Sequence, residues 1–238
     1  MIRFYFHPTP NPAKVALFLE ESGLEYELVP VDTSKGEQHS PEFRAINPNG
    51  KVPAIIDTEG PGGKEVRVFD SSAILLYLGP KLGLAGIGES DGLWTHQLQL
   101  TIADAVAEAH DTHHPISTGD YYEDQRDAAV QRARAFREAR IPKFLNWFEQ
   151  VLQRNPSGDR HLVGDVLTYA DLSLFQLVDG LQYAFPKAAA RALADTPAVV
   201  KLHANVRRRQ RVHDYLQSPR RIAFNEDGIF RRYAELDG

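Results

Sequence analysis

Apolar residues come in short runs over the first eighty positions and recur at helical spacing after that. Residues 2–6 (IRFYF) are an aromatic and aliphatic run that predicts a strand. A helix follows, with Asn11 as its N-cap, Pro12 at the first helical position, and Val15, Ala16, Phe18 and Leu19 on one side. Gly23 closes it. Residues 26–31 (YELVPV) predict a second strand, and Pro30, which has no N–H to give a ladder, puts it at a sheet edge. Ser40-Pro41 opens a short helix that ends by Asn47-Pro48. Residues 51–57 (KVPAIID) and 65–69 (EVRVF) then predict strands on either side of a TEGPGGK turn. Asp70-Ser71-Ser72 starts a helix carrying Ile74, Leu75 and Leu78. The order β-α-β-α-β-β-α is complete by about residue 80. Strands separated by helices are expected to pair in parallel, with the last hairpin adding an antiparallel element.

Residues 78–92 (LGPKLGLAGIGESDG) hold five glycines and have the composition of a linker. The expected division is a first domain at 1–80, a linker at 81–92 and an all-helical domain at 93–238. In the second domain Ile141, Phe144, Leu145, Phe148, Val151 and Leu152 form one apolar stripe, and Pro142 within it predicts a kink or break. Thr168-Tyr169-Ala170-Asp171 is a capping box pattern. The helix it opens is apolar on most sides and is expected at the centre of that domain.

Charge and composition narrow the chemistry. A formal net charge of −5 argues against a nucleic-acid or anionic-membrane partner. The chain has no cysteine, which removes disulfides, zinc–thiolate sites and any thiol nucleophile of its own. At 238 residues it buries roughly 70–75% of its unfolded surface and needs no such staple. The first residues lack the apolar stretch of a secretory signal and no run approaches a membrane span, so a cytoplasmic location is expected.

Four segments carry a resemblance: YFHPTPNPAKVALFLEE (5–21), KGEQ (35–38), PEFRAINPNGKVPAIID (41–57) and SSAILLYL (71–78). In that order they resemble the cytosolic glutathione transferases, and among these the nu-class bacterial enzymes and their yeast nitrogen-regulator relatives. The resemblance is close over residues 3–80. Beyond that it is similar in general plan and in the TYAD box. Asp70-Ser71-Ser72 stands where relatives commonly read Glu-Ser-Gly, keeping an acid and a hydroxyl. The resemblance implies a thioredoxin-like α/β domain that binds glutathione, a helical domain with an apolar co-substrate pocket, and a homodimer.

It also implies where the chemistry sits. In this family the glutathione sulfur lies over the start of the first helix, and relatives that use their own thiol place a cysteine in that turn. Here the turn is Thr9-Pro10-Asn11-Pro12, so the thiol must come from the ligand. Bringing a thiol from a pKa of about 8.5 to ~6.5 takes roughly 2.7 kcal/mol. A helix N-terminus offers about 0.3–1 kcal/mol and one hydrogen bond to a charged acceptor roughly 1.5–3 kcal/mol, so the dipole and one donor suffice. By resemblance Asn11 and Thr9 are the candidates, with backbone N–H groups beside them. Tyr5 is the rival donor, standing where tyrosine-type transferases keep their hydroxyl, although a strand tyrosine also serves as packing. Asn11 also suits a plain helix cap.

The remaining candidates follow the same resemblance. A cis peptide at Val52-Pro53 is expected to free the Val52 backbone for strand-like pairing with glutathione. Ser71, at a helix start, suits the γ-glutamyl carboxylate, and Asp70 its ammonium. Gln38 and Lys51 are candidates for the glycyl end or peptide edge. Asp104 is a candidate contact to a neighbouring subunit's γ-glutamyl group, or a plain salt bridge.

His110 and His114 in HDTHHP stand four apart but lack further ligands, so no metal is expected; they fit the mouth of the second-substrate pocket or a helix end. The basic run VRRRQRVH (206–213) is expected to be a solvated helix face. The reading is a dimeric glutathione S-transferase conjugating glutathione to an electrophile. A glutathione-dependent disulfide reductase and a non-catalytic glutathione-binding module are the alternatives.

Overall fold

The computed structural model describes residues 1–7, 10–226 and 228–238, with the side chains of residues 10 and 11 outside that description. Four strands form one sheet in the order β2-β1-β3-β4: β1 (Ile2–Phe6), β2 (Tyr26–Pro30), β3 (Ala54–Asp57) and β4 (Val66–Phe69). β1 and β2 are parallel, joined by α1 (Pro10–Ser22), and β2 lies at the edge as Pro30 requires.

Two expectations change. β3 follows a helix, α2 (Pro41–Arg44), yet pairs antiparallel with β1 instead of parallel with β2. The connection through residues 31–53, α2 included, stays at the sheet end where β2 finishes, and β3 re-enters the sheet from there. The first helix also starts at Pro10, which puts Asn11 inside its first turn and not at its cap.

Alternation in β1 divides the core. Ile2 and Phe4 face α1 and α3 (Ser71–Lys81), where they meet Val15, Phe18, Leu19, Ile74, Leu75 and Leu78, all buried. Tyr5 joins a smaller cluster with Val31, Phe43 and Ala54, the α2 side of the sheet.

After residues 82–87 the chain is helical: α4 (Gly88–Asp111), α5 (Arg126–Ala135), α6 (Ile141–Arg154), α7 (Tyr169–Ala184), α8 (Pro186–Ala194), α9 (Pro197–Arg207), α10 (Gln210–Gln217) and a short α11 (Ala234–Asp237). α4 therefore begins inside the glycine-rich stretch. α5 passes into α6 through a π-helical turn at Phe136–Arg140, just ahead of Pro142, which accommodates the missing N–H and the ring. α7 is buried along nearly its whole length and packs on α1, α4, α8 and α9.

The arginines of the basic run are exposed, as expected, but the run spans the break between α9 and α10 and several of them also pair with acidic partners. Arg207 pairs with Asp179 at 2.5 Å, Arg209 reaches the buried Glu21 at 2.6 Å, and Arg211 donates to the Glu21 carbonyl at 3.1 Å. Arg220 adds a two-pronged contact to Glu20 at 2.8 and 2.9 Å. The C-terminal end of α1 is thereby tied to the helical region.

The capping box holds α7. Fully buried Asp171 accepts from Leu162 N (2.8 Å), Thr168 N (2.7 Å) and Thr168 Oγ1 (2.9 Å). Burial pushes its carboxyl up to about 6 while these donors pull it back. Replacing Asp171 by Ala strands three buried donors, each worth about 1–3 kcal/mol of desolvation penalty, partly relieved by water. Urea denaturation of Asp171→Ala should show a loss of at least about 2 kcal/mol. A loss within error of zero would remove the box from the list of supports.

Candidate functional site

The sheet register gathers most of the candidates at one end. Tyr5 pairs with Ala54, and Ala54 with Phe69, so the end of β1, the start of β3 and the end of β4 lie side by side. Val52-Pro53 immediately precedes β3, Asp70-Ser71 immediately follows β4, and α1 begins four residues after β1 ends. Thr9 lies outside the described residues, as does the Asn11 side chain.

The Val52-Pro53 peptide is cis, as expected. Buried Asn47 shapes the approach to it: Nδ2 donates to the Lys51 carbonyl at 2.6 Å, and Oδ1 accepts from Asn49 N at 3.0 Å. Gly50 closes that turn at φ 64°, and a Cβ there would stand 3.1 Å from the Gln38 carbonyl oxygen. Gln38 and Lys51 are thus neighbours through this glycine. The Gln38 Oε1 is buried and has no hydrogen-bond partner among the described residues. A peptide N–H of a ligand would satisfy it.

Asp70 caps α3, its Oδ1 accepting from Ser72 N at 2.9 Å. It is exposed, and its backbone sits at φ 70° and ψ 130°; it is the one non-glycine residue with positive φ among those described. Such a conformation costs of order 1–3 kcal/mol and persists where surrounding structure imposes it. The helix start leaves backbone N–H groups open to an anion, with the Asp70 carboxylate beside them for a cation, the two halves of an amino-acid zwitterion. Behind them buried Gln99 of α4 reaches Ser72 Oγ at 3.5 Å.

Lys14, on α1, was not legible as part of this group. It is 2% exposed, and burial holds its ammonium down to about 8 while Asp70 pulls it up. Its charge links the start of α1 to the start of α3. Tyr5 is half-buried with its ring 6.1 Å from Phe43, so the ring contributes packing whatever its hydroxyl does. Asp104 is exposed on α4 and does not join the sheet-end group.

Comparison with known proteins fits this geometry. The profile of the glutathione S-transferase N-terminal domain matches residues 1–79, and that of the C-terminal domain residues 110–219. Over 189 residues the chain is 33% identical to glutathione S-transferase 3 of Zea mays, covering 71% of this chain and 73% of that protein. The chain belongs to the glutathione S-transferase family. Within the family it is 54% identical over 85 residues to the disulfide-bond oxidoreductase YfcG of Escherichia coli. That match spans 35% of this chain and only 40% of YfcG. A solved glutathione transferase of Burkholderia graminis, with two glutathione molecules bound per subunit, superposes with a TM-score of 0.71 at 32% identity. It covers 92% of this chain and 89% of that one.

The buried Lys14 gives a signed pH dependence. Its folded pKa lies below the unfolded value of 10.5, so between about 8 and 10.5 the unfolded chain binds more protons and stability rises with pH. Lys14→Met should be more stable than the parent at pH 7, on the order of 2 kcal/mol, with the gap closing as pH approaches 10. Urea midpoints of both proteins across that range read the effect; a constant gap would show that Lys14 ionises freely.

Proposed function

We propose that this chain binds glutathione at the sheet end and holds its sulfur as a thiolate over the start of α1. The observation that supports this best is the pairing of an anion-ready helix start at Asp70-Ser71 with the unpartnered Gln38 Oε1 on the far side of the Val52-Pro53 turn. One end suits the γ-glutamyl zwitterion and the other the peptide edge of an extended tripeptide. Lys51, exposed beside Gln38, suits the glycyl carboxylate. Asn11 and Thr9 are the proposed sulfur donors, with Tyr5 the rival.

The reaction favoured is reduction of a disulfide. A chain without cysteine cannot form a mixed disulfide itself, so glutathione must do both steps. One thiolate attacks the substrate disulfide, giving a glutathione mixed disulfide and a free thiolate. A second glutathione releases the other thiol and leaves as glutathione disulfide. The balance requires two glutathiones per turnover, which agrees with the two bound per subunit in the Burkholderia graminis relative and with the name of the Escherichia coli one. Conjugation to an electrophile is the second reading, favoured by the identity to the maize protein, which extends over most of the chain.

A homodimer accompanies either reaction. Leu93 and Leu100 stand 63% and 48% exposed and seven residues apart on α4, on the same stripe as Asp104, with Leu76 of α3 also open at 46%. Sedimentation at micromolar concentration should give a dimer, dissociated by Leu100→Glu; a monomeric parent would remove this part.

Asn11→Ala should raise the pKa of bound glutathione by roughly 1–2 units, followed by thiolate ultraviolet absorbance. Tyr5→Phe should leave it within a few tenths. The reverse pattern would move the donor to Tyr5. Turnover of a small disulfide exceeding that of an aryl halide is expected, the opposite order would select conjugation, and saturable binding without either would leave a binding module.

A further inference from the structure

By spacing alone His110 and His114 are two ligands. The fold supplies a third. His110 sits in the last turn of α4, and His113 and His114 follow just past its end at Asp111. One ring nitrogen from each lies within 4.8 Å of the other two, and the ring centroids are 4.8, 4.9 and 5.0 Å apart.

Hydrogen bonds decide which nitrogens keep a lone pair. His113 Nε2 lies 2.8 Å from the Ile229 carbonyl oxygen. A carbonyl only accepts, so Nε2 carries the proton and Nδ1 does not. That Nδ1 is buried and has no partner among the described residues, on a side chain only 1% exposed. His114 Nδ1 lies 3.1 Å from the Asp120 carbonyl oxygen, which by the same reasoning puts the proton of the neutral ring on Nδ1. Donation of the second N–H to a backbone carbonyl is how metal-bound imidazoles are usually oriented, and two of the three rings have it.

We propose that His110, His113 and His114 bind a divalent transition-metal ion of the zinc type, with a further position open to solvent beside the half-buried His110 and His114. Three nitrogens no more than 4.8 Å apart lie within about 2.8 Å of a common centre, against about 2.0–2.1 Å for a Zn–N bond. Each ring therefore needs to swing inward by less than about 1 Å. Neutral imidazoles select zinc, copper or nickel over calcium and magnesium, which prefer oxygen. The charged groups acting on the cluster are Arg231 and Lys51, which oppose a cation, and Asp111, which favours it. Their balance favours water or a small anion at the open position. The glutathione chemistry proposed above needs no metal, although the cluster lies close enough to that site for Lys51 to act on His110.

The test uses the full chain without an oligohistidine tag, stripped of metal by chelation and titrated with Zn2+ by calorimetry and with Co2+ by visible absorption. One-to-one saturable binding is expected, with ligand-field bands of a low-coordinate cobalt site and a higher melting temperature on zinc addition. The double variant His110→Asn, His114→Asn should keep the melting temperature of the metal-free parent and bind at least about a hundredfold more weakly. These two rings are chosen because His113 is buried and its replacement could disturb folding. Absence of saturable binding, or binding undiminished in the double variant, overturns the proposal.

Discussion

The candidate site depends on where α1 is held, and α1 is held at its far end by charge. Glu20 and Glu21 close the helix, and Arg209, Arg211 and Arg220 reach them from positions almost two hundred residues away in sequence. Glu21 is nearly buried while Arg209 remains partly in water, so the pair loses less hydration than two buried ions would. Between these anchors the apolar face of α1 packs on α3, α7 and α10. The helix therefore belongs to both halves of the molecule. A displacement of the helical region would move the end of α1 that carries the proposed sulfur site.

Under the proposed function, this arrangement lets a chain without a thiol support thiol chemistry. The fold offers a helix start, a row of strand ends in register and a second helix start at Asp70. Each presents backbone groups with unused hydrogen-bonding capacity. Little of the recognition needs long side chains. Those that matter, Asn47 and Gln99, act from behind by fixing backbone and hydroxyl positions.

Short-range patterns were legible and long-range ones were not. The strand at 2–6, the edge position of Pro30, the helix capped by Ser40 and the box at Thr168–Asp171 each follow from a few adjacent residues. The pairing of β3 with β1 escaped because it turns on which end of the sheet the chain re-enters after α2. Lys14 reads as an ordinary helix surface residue, and only packing shows it buried. The arginines of 206–213 are exposed as their pattern suggests, but their acidic partners in α1 and α7 could not be read from neighbouring residues. Thr9 and the Asn11 side chain, which carry most of the sequence argument, fall outside the described residues.

The backbone at Asp70 has a consequence for how this chain can change over generations. Glycine would adopt φ 70° without penalty, recovering about 1–3 kcal/mol against roughly 0.5–1 kcal/mol of added chain entropy. Selection for heat tolerance alone would therefore drift toward glycine here, and would discard the Asp70 carboxylate at that helix start.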